Sequence, residues 1–129
     1  FMAVLVVFMF TGLQDFVFRP VYFKPWSNKY AGETVGGVYT QVLNEATVHS
    51  FMCGLALVQG CVQLYPELFQ FLHGVYEFNS LYPAFDLLCG GSQLREMILC
   101  GSSLKDISEF INNDNELFRK DVKRLHLYA

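Results

Sequence analysis

RPVYFKPWSNKYAGETVGGV, residues 19–38, joins a strand-like run to a Gly-Gly pair through a polar and aromatic loop. Its two flanks decide the fold. On one side, residues 16–23 alternate with the period of two expected of a strand. Pro20 makes this an edge strand or an irregular segment, because proline has no N–H to give to a ladder. On the other side, residues 36–43 read as a second strand, with Val38, Thr40 and Val42 on one face. The long connection between them suits antiparallel pairing.

Outward from this pair the pattern turns helical. Residues 2–10 are apolar all round and read as a helix stopped by Gly12, although their β-branched and aromatic content leaves a strand open. After the second strand, Asn44 or Thr47 is the expected helix cap. Val48, Phe51, Met52, Leu55, Val58, Val62 and Tyr65 then recur at helical spacing until Pro66. Gly54 and Gly60 weaken that helix and imply close packing. LFQFL at 68–72 reads as a short strand, followed by a loop at 73–83. Short helices are expected after Pro83 and after Ser92, closed by Gly90-Gly91 and Gly101. Ser103 with Asp106 resembles a capping box. The helix it opens runs to about residue 124, with Leu104, Ile107, Phe110, Ile111, Leu117, Phe118 and Val122 facing inward. Residues 125–128 form a final strand or a docked tail. The sum is an α+β fold, a small, mostly antiparallel sheet with about four helices packed on it.

Composition narrows the function. The 129 residues suit one domain, 1–129. With 53% hydrophobic and 16% charged residues, disorder is excluded and some apolar surface is expected to face a partner. A first residue other than Met agrees with a piece of a larger protein. The net charge of −3 gives no basic face for nucleic acid; RKDVKR at 119–124 reads as a solvated helix end. The apolar run at 1–10 is half the roughly twenty residues of a membrane span. Cys53, Cys61, Cys89 and Cys100 make no C-x-x-C pair, and His49, His73 and His126 have no ligand spacing, so no metal or other cofactor is expected. The cysteines read as small buried side chains, with a Cys89–Cys100 bridge left open.

Candidate chemistry gathers in the loop and its strand edges. Glu33 stands among Gly32, Gly36 and Gly37, where a ligand can approach the backbone. Glycoside hydrolysis needs two carboxylates about 5–9.5 Å apart. No second one is near in sequence, and only folding could bring Glu77 or Asp86 close. Tyr22, Trp26 and Tyr30 either form a stacking wall for a sugar or anchor the loop to the core. Arg19 and Lys29 can pair with an anion, arginine being the better bidentate partner.

The quoted stretch also carries a resemblance. FRPVYF at 18–23, SNKYAGE at 27–33 and GGV at 36–38 are followed by GLAL at 54–57, LYP at 64–66 and FDLL at 85–88. Gly90, LRE at 94–96, FR at 118–119 and LY at 127–128 complete the series. In order and spacing this resembles the C-terminal domain of the bacterial exo-β-N-acetylmuramidase family, glycoside hydrolases that trim peptidoglycan. The resemblance implies an accessory domain beside an N-terminal Rossmann-like catalytic domain, a muramic-acid-containing sugar as ligand, and a periplasmic or extracellular setting. It places the principal catalytic carboxylate in the other domain, so no residue here is expected to be catalytic. Arg19, Tyr22, Lys29, Tyr30 and Glu33 are the expected substrate-binding residues. The chain departs from the family at Val35, usually Cys, at Cys89, usually Thr, and at residues 49–54, where an Arg-Pro-Val-Arg-Thr-Gly run is usual. The alternative is a non-enzymatic interaction or packing module with no sugar contact.

Overall fold

The computed structural model describes residues 13–76 and 79–125. The expectations for residues 1–10, Gly12, Glu77 and residues 126–128 lie outside them. The chain divides between Phe69 and Gln70 into two compact units. Among the described residues the elements are two antiparallel strands and four helices, the expected small α+β class.

The first unit holds strands β1 (Phe16–Phe23) and β2 (Val35–Val42). Their register is continuous from Phe16↔Val42 to Phe23↔Val35. Pro20 is tolerated because a two-stranded sheet consists only of edges. Alternation puts Val17, Arg19, Val21 and Phe23 on one face with Val35, Gly37, Tyr39 and Gln41. The other face carries Phe16, Phe18, Pro20 and Tyr22 with Gly36, Val38, Thr40 and Val42. Phe16 and Phe18 stack at 6.0 Å between ring centroids. The Phe23 ring lies over Gly37, so close that a Cβ there would meet it at 2.7 Å. A side chain at 37 would have to displace the ring of this diagonal neighbour.

The ladder extends one step past β2, where the Leu43 N–H donates to the Asp15 carbonyl at 2.8 Å. Neither expected cap acts as one. Asn44 Oδ1 accepts from the Ala46 N–H at 3.0 Å, and the Thr47 hydroxyl donates to Asp15 Oδ1 at 2.8 Å. Asn44 is engaged in a local turn that competes with helix capping, and Thr47 is held by a residue distant in sequence. Helix α1 (Ser50–Leu64) therefore starts later, after His49, with no side-chain cap.

The buried face of α1 is Cys53, Leu55, Ala56, Gln59 and Gly60, while Phe51 and Tyr65 are exposed. Of the expected stripe Leu55 is buried and Val48, Met52, Val58 and Val62 are half-buried, and the small residues Cys53, Ala56 and Gly60 share the buried face. Gly60 is buried as expected; Gly54 is exposed with nothing within 4 Å of its Cβ direction. Six residues apart on a helix, the two glycines point to different sides.

The expected strand at 68–72 does not form. The N–H groups of Leu68 and Phe69 both donate to the Tyr65 carbonyl, closing a turn around Pro66. Phe69 and Phe71 are half-buried and Leu68, Gln70 and Leu72 exposed. The period-two pattern is real, but no third strand completes a ladder among the described residues.

The second unit holds α2 (Ala84–Cys89), α3 (Gln93–Leu99) and α4 (Leu104–Val122), the last followed by a 3-10 turn at Lys123–Leu125. Gly90 ends α2 at φ 80, and Phe71 packs on Phe85 at 4.9 Å. Ser92 precedes α3 but makes no side-chain cap bond. Among the described residues of this unit, Leu94, Ile98 and Ile107 are the buried apolar ones. On α4, Leu104, Ile111 and Val122 are half-buried, whereas Phe110, Leu117 and Phe118 are exposed. Phe118 is on the Ile107 side by helical angle yet 64% exposed, so the apolar stripe continues beyond what covers it.

The capping box of α4 is complete: Ser103 Oγ accepts from the Asp106 N–H at 3.1 Å, and Asp106 Oδ2 accepts from the Ser103 N–H at 3.2 Å. Hydrogen bonds from the Ser103 side chain and backbone hold the Asp106 carboxyl below its ordinary value of 3.8. A depressed carboxylate stabilises the fold above the unfolded pKa and loses that contribution as pH falls through the lower, folded one. Ser103→Ala is expected to cost about 1 kcal/mol at neutral pH. Urea melts followed by circular dichroism should show this difference shrinking once Asp106 is protonated. Ile107→Ala, at a fully buried position, should cost more, about 2–5 kcal/mol.

Candidate functional site: the hairpin loop

Residues 24–34 connect β1 to β2 and carry most of the sequence-selected groups. The loop is closed by backbone bonds. The Gly32 N–H donates to the Pro25 carbonyl at 3.0 Å, Ala31 to Asn28 at 3.3 Å and Glu33 to Tyr30 at 3.0 Å. Alternate residues Asn28, Tyr30 and Gly32 have φ of 64°, 60° and 81°. Asparagine and glycine accept that conformation readily; a tyrosine does so at a cost of about 1–2 kcal/mol. Strain of this kind persists where surrounding bonds over-determine the backbone, and it recurs at ligand sites.

The structure divides the five expected residues. Lys29, Tyr30 and Glu33 all sit in the loop and are all exposed. Neither Lys29 nor Glu33 has a side-chain partner among the described residues. Tyr22 lies one step back on β1, 78% exposed and opposite Gly36. Arg19 is on the other face of the hairpin, where Nη2 donates to Gln41 Oε1 at 2.5 Å. Arg19 and Tyr22 therefore present to opposite sides. Trp26 is 97% exposed. Of the two alternatives for the aromatics, anchoring to a core does not describe Trp26, Tyr22 or Tyr30.

Residues 24–34 hold no carboxylate besides Glu33. Asp86 belongs to the other unit, where it is 3% exposed and fully engaged. Its Oδ1 accepts from Arg95 Nε at 2.7 Å and its Oδ2 from Arg95 Nη2 at 2.8 Å. This bidentate pair fastens α2 to α3 across the Gly90-Gly91 turn, and the Asp86 hydrogen bond raises the Arg95 pKa above its ordinary value. Sequence reading noted Asp86 and Arg95 separately and missed their pairing. Their spacing of nine residues across two short helices follows no local rule.

All four cysteines are free thiols, so the bridge left open between Cys89 and Cys100 is not made. Burial pushes the Cys53 thiol up; burial and then the Asp86 charge push Cys89 up. Such thiols are poor nucleophiles. Among the described residues no cluster of three or more His, Cys, Asp or Glu could hold a metal, and no helix is long and apolar enough to cross a membrane.

Together these features define a small α+β domain that displays a hydrogen-bonded loop of exposed aromatic and charged groups. Residues 6–128 match the family described as "Exo-beta-N-acetylmuramidase NamZ, C-terminal", and the chain belongs to it. It is 28% identical over 116 residues to the peptidoglycan beta-N-acetylmuramidase NamZ of Bacillus subtilis (strain 168). That alignment covers 90% of this chain and 26% of the relative, so the chain spans about a quarter of the relative's length. The crystal structure of a DUF1343 family protein from Bacteroides fragilis NCTC 9343 shares the fold, with a TM-score of 0.72 at 22% identity. It is matched over 99% of this chain and 33% of its own.

Two outcomes are expected from stability measurements. Arg95→Ala leaves a buried carboxylate unpaired and should cost about 3–5 kcal/mol, with Arg95→Lys intermediate because the fork is lost and the charge kept. Tyr30→Asn should raise stability by a fraction of the roughly 1–2 kcal/mol held in the loop. Chemical denaturation followed by circular dichroism reads both; a destabilised Tyr30→Asn would mean the ring makes a stabilising contact.

Proposed function

We propose that the chain is the accessory, substrate-facing domain of an exo-β-N-acetylmuramidase-like glycoside hydrolase acting on peptidoglycan fragments outside the cytoplasm. Family membership and the printed activity of the Bacillus subtilis relative support the enzyme class. The observation that carries the substrate-facing role is the loop itself. Trp26 and Tyr30 offer rings to the apolar face of a sugar, and Lys29 and Glu33 offer unspent charge beside them. Lys29 suits a carboxylate such as the lactyl group of muramic acid. Tyr22 extends the same surface, whereas Arg19 would act from the opposite face or through its bond to Gln41. The chemistry is assigned to a partner, an N-terminal Rossmann-like catalytic domain, because the loop itself offers Glu33 no second carboxylate.

The second reading, a packing module with no sugar contact, draws on the exposed Phe110, Leu117 and Phe118 of α4. Kinetics of the full-length enzyme separate the two. Glu33→Gln should lower kcat/KM by roughly ten- to hundredfold, the equivalent of about 1.5–3 kcal/mol for a charge-assisted hydrogen bond, and leave turnover measurable. Trp26→Ala and Tyr30→Ala should act mainly through KM, and Tyr30→Phe should cost less than Tyr30→Ala. The 129-residue chain alone should release no muramic acid. Unchanged kinetics in every loop variant, with folds intact, would replace the first reading by the second.

A further inference from the structure

The direction of each backbone group along β2 follows from the step just beyond it. Asp15 and Leu43 continue the β1–β2 register, and the Leu43 N–H donates to the Asp15 carbonyl at 2.8 Å. In an antiparallel ladder, hydrogen-bonded and non-bonded pairs alternate. Val35, Gly37, Tyr39 and Gln41 therefore turn their N–H and C=O groups toward β1, and Gly36, Val38, Thr40 and Val42 turn theirs outward. We infer that this outer edge of β2 pairs with the same edge of a second copy of the chain, antiparallel, about a two-fold axis at Tyr39.

The two edges of the hairpin are not alike. On β1 the outward positions are Phe16, Phe18, Pro20 and Tyr22. The Phe16 N–H is spent on the Leu13 carbonyl at 3.2 Å, and Pro20 has no N–H to give. Proline is one of the devices that keep an edge from adding a strand. β2, VGGVYTQV, has neither proline nor charge. Among the described residues its outward N–H and C=O groups make no hydrogen bond. A lone two-stranded sheet is marginal, whereas three or more strands with an apolar face hold together. Two copies joined along β2 make a four-stranded sheet.

The register and the absence of charge select a second copy as the occupant. A strand that pairs with itself must set outward residues opposite outward residues. With Tyr39 on the axis, Val38 faces the partner's Thr40 and Gly36 faces the partner's Val42, and each such pair exchanges both its bonds. No other register uses all the outward positions. Tyr39 then meets its own symmetry mate in a non-bonded pair, where side chains approach closest. It is 56% exposed, and an aromatic pair across strands is favourable. Self-pairing puts like beside like, so only a strand without charge avoids repulsion, and β2 is such a strand. The assembly also closes, because its outer strands are the two copies of β1, each carrying Pro20. Antiparallel pairing sends the two loops at 24–34 to opposite ends of the sheet, so it covers neither.

The test is sedimentation of the 129-residue chain over a range of concentrations, under reducing conditions because the Cys100 thiol is exposed. A reversible monomer–dimer equilibrium with nothing larger is expected. Tyr39→Lys sets two ammonium groups opposite each other and should raise the dimer dissociation constant roughly tenfold. Thr40→Pro removes one outward N–H from each edge without touching the β1–β2 ladder, as Pro20 does on β1, and should leave the chain monomeric. Circular dichroism of both variants checks the fold; if Thr40→Pro unfolds, Tyr39→Lys at its exposed position decides alone. A chain that stays monomeric at every concentration, a dimer that the folded variants keep, or growth beyond the dimer overturns the inference.

Discussion

A two-stranded sheet is at best marginally stable in water, and the first unit is arranged around that constraint. The β1–β2 ladder cannot hold residues 24–34 in place by backbone bonds alone. Side chains make up the difference on both faces. Phe16 stacks on Phe18 on one side; on the other, Phe23 covers Gly37 and Arg19 reaches Gln41. At the far end Asp15 receives both the Leu43 N–H and the Thr47 hydroxyl, which fixes where the chain leaves the sheet. A hairpin braced at this many points can carry a long loop with three residues in the left-handed region.

The second unit meets a different constraint. Helices of six and seven residues are too short to hold themselves. Asp86 and Arg95 bind the two together, and the Gly91 N–H returns to the Asp86 carbonyl at 2.9 Å. One residue thus accepts from the partner helix through its side chain and from the turn through its backbone. Such a pair is strongly unfavourable to break and contributes less to net stability than to the unique arrangement of the elements it joins.

What was legible in the sequence follows from the range of the forces involved. The strands, the Gly90 and Gly101 stops and the Ser103–Asp106 box are local, and each was readable from neighbouring residues. Asn44 and Thr47 have the chemistry of caps, but a partner far away in sequence, Asp15, claims Thr47. On α1 the large apolar residues that dominate the pattern include the buried Leu55 and also the exposed Phe51 and Tyr65. Close approach favours Cys53, Ala56 and Gly60, whose small size is a weak signal in a periodicity count. LFQFL alternates as a strand does, yet strand formation needs a neighbour that the sequence cannot place. On α4 the period of Phe118 was right and its burial was not, since helical angle says nothing of how far the covering layer extends. The loop was legible as a site because its residue types are unsuited to a core; the opposite facing of Arg19 and Tyr22 follows from the strand register and was there to be counted.

Trp26 is the chain's single tryptophan, and it stands almost wholly in solvent. Indole emission from the native protein therefore already resembles that of an unfolded chain. Intrinsic fluorescence will be nearly blind to loss of the fold, and a flat denaturation trace by that method says nothing of stability. The same blindness makes the indole a selective reporter. A blue shift or a loss of quenching by iodide can arise only where something covers the hairpin tip, so the native chain carries its own unlabelled probe for occupancy of the loop.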